Sequence, residues 1–177
     1  IMQLDKRHIA ALNRAEGWMF HSDFCPYLEL KLLLPDRSKK ARSKFRSLFT
    51  TLYGFNAAGV PEEFKEKFFE ILHDGDVCPA GQPDYSGILL QLSKIKRRKG
   101  DTMMPFSFVS KLVATHLESS PIYDRHVLAF FRKRPTAASV AKAARIKWYV
   151  EFLDYVARSY ESWASDSRVA EILERLR

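Results

Sequence analysis

Apolar side chains recur every three or four residues along most of the chain, which is the spacing of one face of an α-helix. The clearest example is Phe45, Leu48, Phe49 and Leu52, and Gly54 follows as a helix stop. Glycine and proline are few and fall between such segments, where they separate one helix from the next. The pattern therefore predicts a chain made of successive helices.

The predicted helices are 5–20, 36–53, a third that opens at Pro61, 85–96, 106–117, 125–132, 137–160 and 167–176. Residues 28–34 fit either a short buried helix or a strand. No convincing pair of alternating strands and no internal repeat is present. We predict an all-α fold of roughly seven or eight helices in a single compact domain over residues 1–177.

Composition supports a folded, soluble protein: 46% of the residues are apolar, 13% aromatic and 28% charged. No apolar run approaches the roughly 18 residues that span a bilayer. The first residues have no signal-peptide pattern, so we expect a cytoplasmic location, at the nucleoid in a bacterium. Cys25 and Cys78 form no metal-binding motif, so we expect no metal site and a reducing compartment. The alternative is a single disulfide between the two cysteines.

The formal net charge is +8, which favours a polyanionic partner, most simply nucleic acid. Three basic clusters carry the charge, and no acidic block of matching size accompanies them. The candidate phosphate-binding residues are Arg37, Lys39, Lys40, Arg42, Lys96, Arg97, Arg98, Lys99, Arg132 and Lys133. The alternative interpretation is that these side chains are solvated helix faces and cations at helix C-termini.

Most aromatic residues fall at helical spacing and are predicted to form the core. Tyr53, Phe55 and Tyr123 lie near helix ends or in loops, so they are the candidates for stacking on a nucleic-acid base. Asn56, in a loop with glycines, is a candidate for reading a base edge, and its alternative role is to cap a turn.

Lys111 and Asp124 are the candidate catalytic residues. Lys111 lies within an apolar helical segment, and burial would lower the pKa of its amine toward that of a nucleophile; the alternative is a lysine that reaches water. Asp124 precedes a short helix and is expected to cap its N-terminus, where the helix dipole would hold the carboxylate ionised.

A helix containing Ser110-Lys111 is followed by Pro121-Ile122-Tyr123-Asp124 and then by another helix. This order resembles the helix–hairpin–helix DNA glycosylase superfamily, in particular the 8-oxoguanine DNA glycosylase type. The resemblance implies that the chain is a divergent, small bacterial relative of that family. The resemblance covers roughly residues 45–135. The glycine-rich hairpin of that family is replaced here by MMPFSFVSK (103–111), and a four-cysteine cluster is absent.

The resemblance implies a DNA-binding, base-excising enzyme, a glycosylase with lyase chemistry. Lys111 would then attack the deoxyribose as the nucleophile, Asp124 would assist, and a damaged or modified base would be flipped into a pocket. No cofactor or metal is implied, and we expect a monomer that binds DNA and no membrane. The alternatives are a non-catalytic nucleic-acid-binding module of the same fold and a basic domain that binds an acidic protein.

Overall fold

The computed structural model describes residues 2, 4–11, 24–56, 58–96 and 103–175. Within these ranges every extended regular element is a helix, and no strand is present. The prediction of an all-α fold is therefore confirmed. The helix–hairpin–helix resemblance concerns a finer arrangement than helix content, and it stays a prediction.

The helices that the structure describes in full are numbered here in chain order. They are α1 (Phe24–Leu33), α2 (Lys39–Leu52), α3 (Glu62–Asp74), α4 (Tyr85–Leu92), α5 (Phe106–His116), α6 (Arg125–Phe130), α7 (Lys142–Ala164) and α8 (Ser167–Arg175). A short 3-10 turn, Pro79–Gly81, precedes α4. Residues 6–11 are also helical, and the rest of the predicted first helix, 12–20, lies outside the described residues.

The largest differences from the predicted bounds are found in three helices. The ambiguous segment around 28–34 is helical and already begins at Phe24. Helix α4 ends at Leu92, four residues early, where a tight turn follows from Ser93. Helix α7 begins at Lys142 instead of residue 137 and continues to Ala164. Residues 137–144 are exposed, so intrinsic propensity there has no packing to support it.

Internal contacts divide the chain into two compact units. The central unit is Ser22–Glu118, and the terminal unit combines Ile1–His21 with Ser119–Arg177. Helices α1 to α5 thus belong to the central unit, and α6 to α8 to the terminal unit. The single-domain organisation predicted for the chain stays a prediction.

An aromatic cluster forms the core of the central unit. Its members from α2, α3 and the turn between them are fully buried: Phe45, Phe49, Phe55, Phe64 and Phe68. Helix α5 adds Phe108, whose ring centre lies 4.4 Å from that of Phe55 in an edge-to-face pair. Such pairs stabilise a core beyond the apolar area that they bury. The cluster fixes which faces of α2 and α3 turn inward, and thereby which faces remain for other contacts.

The end of α2 explains how Phe55 enters this core. Gly54 has a φ of 65°, the left-handed conformation that favours glycine. The Phe55 N–H donates to the Thr50 carbonyl at 3.1 Å, and the Gly54 N–H donates to the Thr51 carbonyl at 3.3 Å. These two bonds are those of a Schellman motif, and the Phe55 ring packs on Phe49 as its hydrophobic contact. The predicted glycine stop at Gly54 is confirmed.

The terminal unit is built on α7, which buries Tyr149, Phe152 and Val156 along one face. The Trp163 indole N–H donates a hydrogen bond to the Met2 carbonyl at 2.8 Å. The Met2 N–H in turn lies 3.4 Å from the Ser159 hydroxyl oxygen, which accepts from it. The beginning of the described chain is therefore attached to its longest helix.

Candidate nucleic-acid interface

A groove of about 530 Å³ in the central unit brings together three of the predicted phosphate-binding residues, Arg37, Lys39 and Arg42. Arg37 lies just before α2, and the other two lie in its first turn. The Ser38 hydroxyl caps this helix by accepting from the Ala41 N–H at 3.2 Å. The cap fixes where α2 begins. The basic residues that follow take their positions around the helix from that start.

Two stripes of opposite charge line the groove. Lys39, Arg42 and Arg46 are spaced by three and four residues, which places them on one side of α2. Helix α3 carries acidic residues at four-residue intervals: Glu62, Glu66, Glu70 and Asp74. The sequence-based expectation that the basic clusters lack acidic counterparts is wrong for this cluster, because the counterpart lies on the next helix.

Asp74 is the main carboxylate partner of the groove. Both of its oxygens accept hydrogen bonds from the Arg42 guanidinium, at 2.8 and 2.9 Å. Arg37 forms a second ion pair with the same carboxylate at 3.5 Å. The hydrogen bonds from Arg42 hold the pKa of Asp74 below its ordinary value. The carboxylate thus lies where two guanidinium groups converge.

Arg46 occupies the other end of the basic stripe. Its guanidinium lies 2.6 Å from a carboxylate oxygen of Glu62 and 2.6 Å from one of Glu66. The same group lies over the Phe69 ring, 5.2 Å from its centre. Hydrogen bonds from Arg46 lower the pKa of Glu66. Arg46 is therefore largely neutralised by α3 and joins the two helices.

His73 lies at the inner wall of the groove. The residue is 8% exposed, and its Nε2 atom is buried without a hydrogen-bond partner. Its ring packs edge-on against Phe45, with the ring centres 5.2 Å apart. Burial, followed by the positive charge of Arg42, lowers the pKa of His73. The imidazole is therefore held neutral, with one nitrogen that no neighbouring group satisfies.

Lys39 and Lys40 begin α2 with exposed side chains, and no ion pair is found for either among the described residues. Lys96 is also exposed. Three further candidates follow Lys96 in the same basic segment and lie outside the described residues: Arg97, Arg98 and Lys99. Lys39 and Lys40 are thus predicted phosphate ligands that remain open to solvent at the start of α2.

Lys111 is half-buried on α5, and its environment is aromatic. Its Nζ lies 5.1 Å from the centre of the Tyr53 ring and 5.9 Å from that of Phe108. Cation–π contacts of this kind attract an ammonium to the face of the ring. Burial raises the pKa of Tyr53 to about 12, so the phenol is neutral at physiological pH.

Asp124 is the N-cap of α6, as predicted. One of its carboxylate oxygens accepts from the N–H groups of His126 and Val127, at 2.8 and 2.9 Å. Asp124 belongs to the terminal unit and Lys111 to the central unit. Their predicted pairing stays a prediction.

The base-pocket candidates have separate environments. The side-chain oxygen of Asn56 accepts a hydrogen bond from Lys65 at 3.2 Å, and the Asn56 carbonyl accepts from the Gly59 N–H in a turn. Tyr53 is half-buried against Phe49, with the ring centres 4.5 Å apart. These two residues have the polar and aromatic groups expected of them, and their part in base recognition stays a prediction.

Phe55 and Tyr123 are core residues. Phe55 is 0% exposed within the aromatic cluster, because the Schellman motif turns its ring inward. Tyr123 is 8% exposed, and its ring lies edge-on to Tyr149 and Phe152. Neither ring has a face available to a base in this arrangement, which corrects the prediction that they stack on one.

The third basic cluster, which contains the candidates Arg132 and Lys133, lies in the terminal unit. Arg132 has a φ of 52° and forms an ion pair with Asp5 at 3.3 Å. The Lys133 ammonium lies 5.3 Å from the centre of the Tyr155 ring. Both side chains are exposed but already occupied by neighbours within the unit. Their predicted role in phosphate binding stays a prediction.

An aromatic pocket of about 420 Å³ also lies in the terminal unit. Helix α6 contributes His126 and Phe130 to its wall, and α7 contributes Tyr160 and Trp163. The Tyr160 pKa is raised, first by burial and then by the negative charge of Asp124. The pocket and the Asp124 cap therefore lie at the same helix.

The sequence-based search missed His73 and Asp74, although the two adjoin each other in the chain. Their signal is the acidic repeat of EEFKEKFFEILHD, which matches the spacing of Arg42 and Arg46 on the preceding helix. The acidic residues of α3 can be recognised as partners of the basic residues of α2 only when the spacing of charges on the two helices is compared.

No group of three metal-binding side chains is found in the part of the chain that the structure describes. Cys25 and Cys78 are free thiols, so neither forms a disulfide here. Among the described helices, none combines the length and the apolar character that crossing a membrane requires.

Comparison with known proteins gives no match at the level of family models, curated proteins or solved structures.

Proposed function

We propose that this chain binds nucleic acid, DNA in the first place, through phosphate contacts at the start of α2. The observation that carries the proposal is the pair Lys39 and Lys40, two exposed ammonium groups with no ion pair among the described residues. They follow directly after Arg37 and the Ser38 cap. Ammonium groups beside a helix N-terminus suit phosphate, because the first N–H groups and the dipole favour the same anion.

The overall charge supports this function. A net charge of +8 attracts a polyanion at long range, and phosphate neutralisation releases the counterions condensed on DNA. Most other cations among the described residues of the central unit already have partners, as Arg42 and Arg46 do on α3. Lys39 and Lys40 therefore provide available positive charge at the start of α2.

The test is a titration of fluorescently labelled duplex and single-stranded DNA, followed by anisotropy over a range of salt concentrations. The double variant Lys39→Gln/Lys40→Gln should weaken binding and reduce the slope of log K against log salt by roughly 2. The matched control is Lys65→Gln/Lys67→Gln, because these lysines already pair with Glu62 and Glu70. An equal loss in both variants would reject the site, and no binding of the wild type at low salt would favour an acidic protein partner.

A second function, excision of a base, is favoured by the aromatic pocket of the terminal unit. A flipped base needs aromatic and apolar walls close to a fixed polar group. The pocket has such walls, and the Asp124 cap lies at the helix that forms part of them. The roles proposed for Lys111, as the nucleophile, and for Asp124, as its assistant, are those that the glycosylase resemblance implies.

The corresponding experiment is a panel of duplexes that carry different modified bases, scored for base release and for covalent trapping by borohydride. Tyr160→Ala opens one wall of the pocket at a residue that is 41% exposed, so folding should be preserved. We expect it to reduce base release on any active duplex. A panel without release or trapping leaves the binding function alone.

A further inference from the structure

We infer that the groove between α2 and α3 is a phosphate-binding site, and that the Asp74 carboxylate occupies the position of the phosphate in this structure. The inference rests on the proposed nucleic-acid binding and deepens it by naming the group that enters the groove. The ligand is a phosphate oxyanion, either within a strand or at its end.

The Asp74 carboxylate is held by two arginines. It receives two hydrogen bonds from Arg42 and lies 3.5 Å from Arg37. A guanidinium fork binds phosphate with the same bidentate geometry that it uses for a carboxylate. Asp74 therefore fills a place that is built for an oxyanion of either kind.

The second step is that this carboxylate can be exchanged. The side chains of Asp74 and Arg37 are 52% and 66% exposed. Water screens ion pairs at such sites, and they contribute little to stability. Displacing Asp74 from Arg42 therefore disturbs the core little, because the carboxylate returns to water at the groove mouth.

The third step concerns His73, which lines the same groove. Its buried Nε2 has no partner among the described groups, although buried polar atoms are nearly always hydrogen-bonded. In its N–H form, this nitrogen is a donor directed by the packing of the ring against Phe45. Under this inference the missing acceptor is an oxyanion bound in the groove, because Asp74 in its present position accepts no hydrogen bond from this nitrogen.

Together these contacts make Asp74 an internal competitor. Its negative charge occupies two arginines until a phosphate, carried by a strand that Lys39 and Lys40 attract, replaces it. Removing the charge should free the Arg42 guanidinium and leave Arg37 with its hydrogen bond to the His73 carbonyl. We expect this to strengthen binding, although the change deletes native ion pairs.

The experiment compares DNA binding at low salt for the wild type, Asp74→Asn and Asp76→Asn. Asp76 is exposed two residues further on and has no ion pair among the described residues, so its variant is matched in charge. We expect Asp74→Asn to bind about tenfold more tightly, with a salt slope steeper by about 1 to 2. Adding Arg42→Gln should abolish the gain. Equal gains from Asp74→Asn and Asp76→Asn would overturn the inference, since net charge alone would then explain them.

A second measurement separates this inference from the proposed function. Inorganic phosphate is titrated into Asp74→Asn, and the imidazole signals of His73 are followed by NMR. A saturable shift that Arg42→Gln removes supports the site even if no variant binds DNA, and an unchanged spectrum overturns it. Oligonucleotides with and without a 5′-phosphate then identify the source: a preference for the phosphorylated one indicates a strand end, and equal binding indicates internal phosphates.

Discussion

The ammonium of Lys111 lies against the face of Tyr53, 5.1 Å from the ring centre, and Phe108 provides a second ring at 5.9 Å. This contact gives Lys111 a structural role in addition to the chemical one proposed for it. The two roles can be separated, because arginine also binds aromatic faces but does not form a Schiff base.

Lys111→Arg should therefore keep the stability of the central unit, whereas Lys111→Met should lower its free energy of unfolding by about 0.5–1 kcal/mol. Urea denaturation measures this difference. On any duplex that the wild type traps with borohydride, both variants should fail to form the covalent complex. Trapping that persists in Lys111→Arg would place the nucleophile elsewhere.

Asp124 should contribute to stability through its cap, whatever its part in chemistry. Asp124→Ala removes the acceptor for the His126 and Val127 N–H groups, and a lost cap of this kind costs about 1 kcal/mol. Asp124→Asn keeps an oxygen acceptor and should lose only a small part of that. Thermal unfolding of the two variants measures the difference. If they unfold alike, the negative charge at the helix N-terminus matters more than the hydrogen bonds.

Gly54 should resist replacement by residues with a side chain. Its φ of 65° is left-handed, so Gly54→Ala should destabilise the central unit by about 1–2 kcal/mol. Open space surrounds the position, so the cost comes from the backbone and not from a clash. Gly54→Asn is the matched control, because asparagine tolerates this conformation better than alanine. Equal losses in the two variants would argue against the backbone explanation.

Mild acid should weaken the central unit through His73. Its pKa in the folded protein is lowered from the ordinary value of 6.5, chiefly by burial, so the unfolded chain takes up a proton first as pH falls. The stability from the neutral ring is present above pH 6.5 and is lost as pH falls toward the folded pKa. Urea midpoints between pH 8 and 5 should decline in the wild type. They should decline less in His73→Gln, and an identical slope in both would exclude His73 as the cause.

The helices were predictable because their apolar spacing is local information. The all-α class, the Gly54 stop and the Asp124 cap each follow from a few neighbouring residues. Phe55 was misassigned because its position after a helix end suggested a loop, although the glycine motif before it directs the next side chain back onto the helix. Tyr123 was misassigned for a related reason, since its burial depends on α7, which is distant in the chain.

The site was predictable only in part. Arg37, Lys39 and Arg42 were recognised by charge, and the groove brings them together. Their neutralisation by α3, and the position of His73 beside them, depend on how two helices pack. No local pattern gives that packing, because it is set by the buried phenylalanine cluster that the two helices share.

The division of the chain into units bears on the order in which the protein can form during synthesis. The central unit is one continuous segment, Ser22–Glu118, so all of its contacts become available before residues 119–177 leave the ribosome. The terminal unit forms later, because Met2 finds its partner only after Trp163 has been synthesised. The first residues must therefore stay unpaired while the phenylalanine core assembles. A pause or truncation after Glu118 has left the ribosome should accordingly leave the central unit folded, with Met2 still unpaired.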